Sequence, residues 1–298
     1  MTIAWVFPGQ GSQKLGMGKN VINLDSAKDK FDFASNIFGR DLFKICEENS
    51  DENTKEFDLN QTRNTQICLF LVESILLDAL KKKGYKPDYV AGHSLGEITA
   101  IYASEILTFE DCVSLIKFRS DLMSNAPKGS MAAVIGFDNE QLNNLIKHKD
   151  NVFVANDNSS QQVVLSGTKE ALQEISSEIK CKRFINLNVS GAFHSSFMKE
   201  PSIKFSEYLD KLVFNKPIFP LVSNSNPIFS SDSAELKLNL KAQMCNGVRW
   251  RETMDLLHST GQLHIIEIGP SNVLGGLAKR HLRGINISQI SSSDCLDY

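Results

Sequence analysis

The stretch Asp88-Tyr89-Val90-Ala91-Gly92-His93-Ser94-Leu95-Gly96-Glu97 governs the reading of this chain. Tyr89-Val90-Ala91 is a short apolar strand. Leu95, Ile98, Tyr102 and Ile106 recur at spacings of three and four, the apolar stripe of a helix. Between them, Gly92, Ser94 and Gly96 fit G-x-S-x-G, in which a serine sits on a sharp strand-to-helix turn with its oxygen exposed. Glycines on either side have no Cβ, so the two arms can approach closely. The first helical N–H groups then lie beside the serine, where a developing oxyanion can bind. The plain alternative is a Gly-Ser turn that only caps a helix.

Working outward, 298 residues allow about two domains, or one large domain with an insert. Hydrophobic residues make up 42% and charged residues 22%, the balance of an ordinary globular protein. A net charge of −3 leaves no basic footprint for nucleic acid. It also means that an anionic substrate needs a local cation. The six cysteines, at 46, 68, 112, 181, 245 and 295, are scattered with no C-x-x-C pair. That argues against a zinc site or a disulfide scaffold and for a reducing cytoplasm. Cys295 is expected to be exposed and the other five to be small core residues. Met1 to Pro8 has no signal-peptide pattern. The run Ile67 to Leu80, broken by Glu73 and Asp78, is too short and too charged to span a bilayer.

Upstream of the elbow, Ile3 to Phe7 reads as a strand leading into the loop Gly9-Gln10-Gly11-Ser12-Gln13, at the end of a strand where α/β folds place ligands. Helical structure is expected over Ser26–Glu48, a polar loop over Asn49–Asn64 and a buried helix over Thr65–Lys83 ended by Gly84. Downstream, Thr108 is the expected N-cap of a helix over Phe109–Asn125 that carries Arg119. After Pro127-Lys128-Gly129 the rhythm changes to β-α-β-β-α-β: strands at Met131–Phe137, Val152–Asn156, Gln162–Ser166 and Arg183–Val189, helices at Asp138–His148 and from Thr168 to Ile179. That order is ferredoxin-like. The expected architecture is therefore α/β: a large α/β-hydrolase-like domain with a parallel sheet, formed by 1–126 and 193–298, and an inserted smaller ferredoxin-like α+β subdomain over 127–192. In the resumed large domain, helices are expected at Pro201–Leu212, Ser233–Met244, from Arg251 and at Val273–Leu282, with strands at Phe219–Ser223 and His264–Ile268.

A serine hydroxyl needs a base to act as a nucleophile at neutral pH. Histidines stand at 93, 148, 194, 258, 264 and 281. His93 adjoins Ser94, projects in a different direction and reads as packing beneath the turn. His148 and His281 close charged helices and read as solvent-facing, and His264 opens a buried strand. His194 follows Gly191-Ala192-Phe193 at the expected join of subdomain and large domain, where a loop histidine suits a cleft base; a structural loop histidine is the alternative. One oxyanion donor would be the Leu95 N–H, and the Gln10 loop is the natural source of the second. Arg119 is either a snorkelling surface arginine or a buried fork for a substrate carboxylate.

Taken together, Phe7-Pro8-Gly9-Gln10-Gly11-Ser12-Gln13, Gly92-His93-Ser94-Leu95-Gly96-Glu97, Arg119, Ala192-Phe193-His194-Ser195, Val248-Arg249-Trp250 and Glu267-Ile268-Gly269-Pro270 occur in an order that resembles the malonyl-CoA:acyl carrier protein transacylases of type II fatty acid synthesis, and also polyketide synthase acyltransferase domains. The likeness runs from residue 3 to about 282. It implies ping-pong transfer of malonyl from coenzyme A to the phosphopantetheine thiol of acyl carrier protein through a malonyl-Ser94 ester, with His194 as base. It further implies an oxyanion hole at Gln10 and Leu95, a carboxylate partner in Arg119, and Gln243 beside a histidine whose other nitrogen meets a main-chain carbonyl. Ala192-Phe193-His194 resembles malonyl-selective members, with Phe193 crowding an α-methyl branch. The family implies a monomer and neither metal nor cofactor. Thr65-Gln66-Ile67, Asn156-Asp157-Asn158-Ser159-Ser160-Gln161 and Gly269-Pro270-Ser271 depart from the family pattern. The alternatives are a free-standing polyketide acyltransferase and a serine esterase or thioesterase, which would have no use for Arg119 and would normally supply a triad acid.

Overall fold

A computed structural model describes residues 1–48, 57–189 and 191–297. Strand β1 (Thr2–Phe7) is buried on both faces, as a central strand of a parallel sheet must be. Its side chains alternate between two cores: Trp5 and Phe7 enter the larger, Ala4 and Val6 the smaller. Helices α1 (Ala27–Phe38) and α2 (Leu42–Glu47) follow. The stretch expected to be helical over Ser26–Glu48 is thus divided into two helices. Gly39, at φ 66°, ends the first, and the Asp41 carboxylate accepts from Lys44 N–H to start the second. The apolar period runs on across this break, which is why periodicity alone missed it.

Helix α3 (Thr62–Lys82) is buried nearly all round. It begins three residues before the expected start; residues 49–56 of the expected loop lie outside the described residues. Gly84 N–H donates to the Lys81 carbonyl and Tyr85 N–H to that of Leu80, the two bonds of a Schellman stop at the expected glycine. Then come β2 (Tyr89–Gly92), α4 (Gly96–Ala103) and α5 (Phe109–Ser124), the last capped by the Thr108 hydroxyl as expected.

A separate sheet is built from β3 (Ser130–Phe137), β4 (Val152–Ser159), β5 (Gln162–Gly167) and β6 (Cys181–Asn186), with α6 (Asn139–Lys147) and α7 (Lys169–Glu178) between them. Its order is β4-β5-β3-β6 and every pairing is antiparallel. Leu142, Leu172 and Ile175 from the two helices pack on Ala132, Val134 and Leu165, whereas Met131 and Ala133 turn to the larger core. Two differences from the expected strands stand out. β4 runs past its expected end at Asn156 through Asp157-Asn158-Ser159, with two register shifts. β6 covers Cys181–Asn186 rather than Arg183–Val189.

The remaining elements are α8 (Lys199–Asp210), β7 (Leu221–Val222), β8 (Phe229–Ser230), α9 (Ser233–Gln243), α10 (Trp250–His258), β9 (Leu263–Ile268), α11 (Val273–His281) and β10 (Asn286–Ile290). They complete a six-stranded sheet, β10-β9-β1-β2-β7-β8, parallel except for the β7–β8 pair. The molecule is therefore mixed α/β, with one parallel-rich and one antiparallel sheet. The short strands β8 and β10 were not foreseen. β10 reads Asn-Ile-Ser-Gln-Ile, an edge with a single buried residue, and pairs with β9 through partners such as Ser288 and Ile266. Cys46, Cys68 and Cys112 are buried as expected, but Cys181 and Cys245 are only half-buried, as is Cys295. Among the described residues no helix is long and apolar enough to cross a membrane.

Candidate active site

β2 ends at Gly92 and α4 starts at Gly96, leaving Ser94 at the apex with φ 54°, a left-handed conformation costly for a serine. The glycines make the turn possible. A Cβ on Gly92 would lie 1.9 Å from the Gly96 carbonyl carbon, and one on Gly96 would lie 2.0 Å from the Phe7 oxygen. The strain is held by Asn224, which follows β7. Its Oδ1 accepts from Ser94 N–H at 2.7 Å and its Nδ2 donates to the Gly92 carbonyl at 2.5 Å.

His194, also left-handed at φ 57° and 5% exposed, places Nε2 2.8 Å from Ser94 Oγ. Its Nδ1 faces the main-chain carbonyls of Gln243 at 2.9 Å and Asn246 at 3.2 Å. Two carbonyls fix Nδ1 as the protonated nitrogen, so Nε2 carries the lone pair that faces the serine. Burial, and then the nearby Arg119 charge, push the imidazole pKa down to about 4, so it is neutral and proton-accepting at neutral pH.

Arg119 is not a surface arginine. It is 1% exposed on α5, and its Nη2 donates to Ser94 Oγ at 3.1 Å and to Gln243 Oε1 at 2.8 Å. Nη1 donates to Gln66 Oε1 at 2.7 Å. Burial lowers its pKa to about 10, which keeps it charged at neutral pH. Its Nε is buried with no hydrogen-bond partner among the described residues.

The loop after β1 closes against the elbow, since a Cβ on Gly9 would meet the His93 carbonyl at 2.3 Å. Gln10, Leu95 and Phe193 line the same cleft as Ser94, Arg119 and His194. The cleft thus brings together every expected site residue except Gln243, which reaches the site from beneath. Met131 and Asn156 from the antiparallel sheet line its other wall. Parallel bridging of Asn156 with Val248, and the double contact of Arg251 with Asp157, tie that wall to the start of α10.

Some contributors were not foreseen. Asn224 sits just past a parallel strand, a position that could have flagged it. Gln66 lies in one of the stretches that depart from the family pattern. Glu97 is one acid in an otherwise apolar helix turn. His93 does not merely pack beneath the turn: it is half-buried, lines the cleft beside Ser94 and places Nε2 2.8 Å from Asn158 Oδ1. His281 is not simply solvent-facing, for it pairs with Asp255 at 2.8 Å. Among the described residues no group of three or more His, Cys, Asp or Glu side chains is placed to hold a metal ion.

The arrangement can activate an alcohol by an imidazole next to a buried, fixed positive charge. Comparison with known proteins agrees with that chemistry. Residues 4–292 match the acyl transferase domain family. A malonyl CoA-acyl carrier protein transacylase of Synechocystis is 43% identical over 297 residues, 100% of this chain and 99% of that protein. The crystal structure of a Synechocystis malonyl-CoA:ACP transacylase superposes with a TM-score of 0.94 at 44% identity, covering 99% of both chains. A malonyl-transacylase solved with its type II polyketide synthase acyl-carrier protein superposes at 0.90 with 31% identity, covering 99% of this chain and 98% of that one. On its sequence match and its structure alike, the chain belongs to the acyl transferase domain family and is akin to the malonyl-CoA:acyl carrier protein transacylases.

Proposed function

We propose that the protein transfers the malonyl group of malonyl-CoA to the phosphopantetheine thiol of acyl carrier protein, as an acyltransferase of fatty acid synthesis. The observation that carries this reading is a single cluster: Ser94 Oγ lies 2.8 Å from a neutral imidazole and 3.1 Å from a buried guanidinium. An esterase needs the first contact and has no use for the second.

In the first half-reaction Ser94 Oγ bonds to the thioester carbonyl carbon while His194 Nε2 takes the hydroxyl proton. The oxyanion is received by the N–H groups of Leu95 and Gln10. As the C–S bond breaks, the coenzyme A sulfur leaves and takes the proton from His194. In the second half the carrier thiol gives its proton to His194 and its sulfur bonds to the carbonyl carbon of the malonyl-serine ester; as the C–Oγ bond breaks, Ser94 Oγ leaves and takes the proton from His194. Arg119 pairs with the free malonyl carboxylate. An acetyl group would leave that buried cation without its anion, a cost of about 2 kcal/mol or more. Phe193 walls the cleft where an α-methyl branch would sit. The chemistry requires no cofactor from the protein.

We assign the larger, α/β-hydrolase-like body to 1–126 and 193–298 and the ferredoxin-like one to 127–192, the cleft lying between them. Six unpaired thiols suit a reducing compartment. A second reading, transfer to a polyketide carrier, is favoured by the neighbour solved with such a carrier. Side-by-side assay with fatty acid and polyketide carrier proteins separates the two.

Quenching the protein after brief exposure to malonyl-CoA, followed by peptide mass mapping, is expected to place a malonyl adduct on Ser94 and none in Ser94→Ala. Arg119→Ala should reduce the preference for malonyl-CoA over acetyl-CoA by about a hundredfold. An adduct elsewhere sinks the nucleophile assignment, and an unchanged preference sinks the carboxylate role.

A further inference from the structure

Gln243 is the hub beneath the cleft. Its backbone carbonyl accepts from His194 Nδ1 at 2.9 Å, its Oε1 accepts from Arg119 at 2.8 Å, and its Nε2 donates to the Ser94 carbonyl at 2.9 Å. A primary amide can face either way, and here only one way works. Turned over, the amide would set its NH₂ against the guanidinium N–H groups and its oxygen against the Ser94 carbonyl. A second acceptor locks the choice. Glu97 Oε2 takes the other Nε2 hydrogen at 2.7 Å and also accepts from Asn224 N–H at 3.3 Å. Glu97 is 1% exposed on α4 and touches no substrate-facing surface of the cleft.

We propose that Glu97 is a positioning residue for acyl selection: its carboxyl oxygen sets the orientation of the Gln243 amide, and that amide in turn aims the Arg119 fork at Ser94.

The placement has a physical logic. A carboxylate bonded directly to Arg119 would compete with the incoming malonyl carboxylate for the same N–H groups. An amide placed between them orients the guanidinium yet leaves its charge without a direct anion. Arg119 is accordingly held by two amide oxygens and the serine hydroxyl, all neutral. Burial raises the Glu97 pKa to about 7, so the group occurs in both protonation states near neutrality. Either state presents an acceptor oxygen to Gln243, so the orienting role survives protonation. The same oxygen also reaches the nucleophile, through Asn224, which holds Ser94 N–H and the Gly92 carbonyl.

The inference rests on the malonyl-transfer reading, and the experiment separates the two. Loading of Ser94 is measured with malonyl-CoA and acetyl-CoA in the parent, Glu97→Gln and Glu97→Met. If the parent has no malonyl preference, the functional reading itself fails. Given that preference, Glu97→Met, which removes the acceptor at similar length, is expected to lower the malonyl-to-acetyl ratio of kcat/KM by about tenfold. Glu97→Gln keeps an acceptor oxygen and should restore most of it. A purely structural role would lower both donors together and leave the ratio unmoved, which overturns the proposal, as does Glu97→Gln failing as badly as Glu97→Met. Should Glu97→Met not fold, Glu97→Asp withdraws the oxygen by one methylene and is expected to shift the ratio in the same direction; an unchanged ratio there counts against the proposal equally.

Discussion

His194 titrates far below an ordinary histidine because it is buried and faces the Arg119 charge, which together hold its pKa at about 4. The imidazole is therefore uncharged over the whole neutral range. If His194 is the base proposed above, the acid limb of the loading step should lie near pH 4 rather than near 6.5. Acetyl-CoA loading, in which no substrate carboxylate pairs with Arg119, isolates that step. A limb near 6.5 in that profile would mean that the imidazole is less enclosed than its surroundings imply. Removing the Arg119 charge takes away one of the two causes, so Arg119→Ala should move the limb upward. Ser94 and His194 could be singled out from the chain alone, Ser94 by its flanking glycines and His194 by its place at a junction. Whether Arg119 was snorkelling or buried could not be settled there, because a single cation in an apolar helix fits both. Packing decided it, with Gln66 and Gln243 supplying oxygens from two other helices.

The strand-turn-helix unit is the element on which the site depends. Its two glycines are required by distance. A Cβ on Gly92 would stand 1.9 Å from backbone atoms of Gly96, and backbone cannot yield as a flexible side chain can. Gly92→Ala is expected to cost about 3 kcal/mol or more, or to leave the protein insoluble, by urea denaturation. Gly276 in α11 is the contrast. A Cβ there meets only the far end of Arg280, at 3.5 Å. Gly276→Ala should be neutral or stabilise by up to about 1 kcal/mol, because alanine suits a helix interior better. Equal losses at the two positions would refute the close-approach argument. Local stops and starts such as Thr108, Thr168 and Gly84 were legible because caps are local chemistry. The break at Gly39 was obscured by continuing apolar spacing. β10 was obscured by its polarity, for an edge strand earns its place by pairing with β9 rather than by burial.

Across the whole molecule, folding buries carboxyl groups and thereby links stability to pH. Glu97 and Glu267 are both raised by burial to about 7. From about pH 4.5 to 7 the folded chain keeps protons on these groups that the unfolded chain has released. Their contribution is therefore fully present below about 4.5 and is lost as pH rises through 7. His194 acts oppositely: between about 4 and 6.5 the unfolded chain binds a proton that the folded one refuses. Glu267→Gln should make the decline from pH 6.5 to 7.5, above the histidine window, shallower in urea titrations. An unchanged slope would show that Glu267 does not titrate there.

The amino-acid order was sufficient for what depends on neighbours along the chain: the strained serine turn, helix caps such as Thr108 and Thr168, and the β-α-β-β-α-β succession that becomes the antiparallel sheet. Folding in three dimensions alone settled the polar scaffold around the serine. Asn224 reaches Ser94 across 130 positions, and Gln243 reaches Glu97 across 146. No period or local spacing links residues so far apart. Their hydrogen bonds exist because β7 and α9 are packed beside the elbow, where burial makes each unpaired polar atom costly and so dictates its partner.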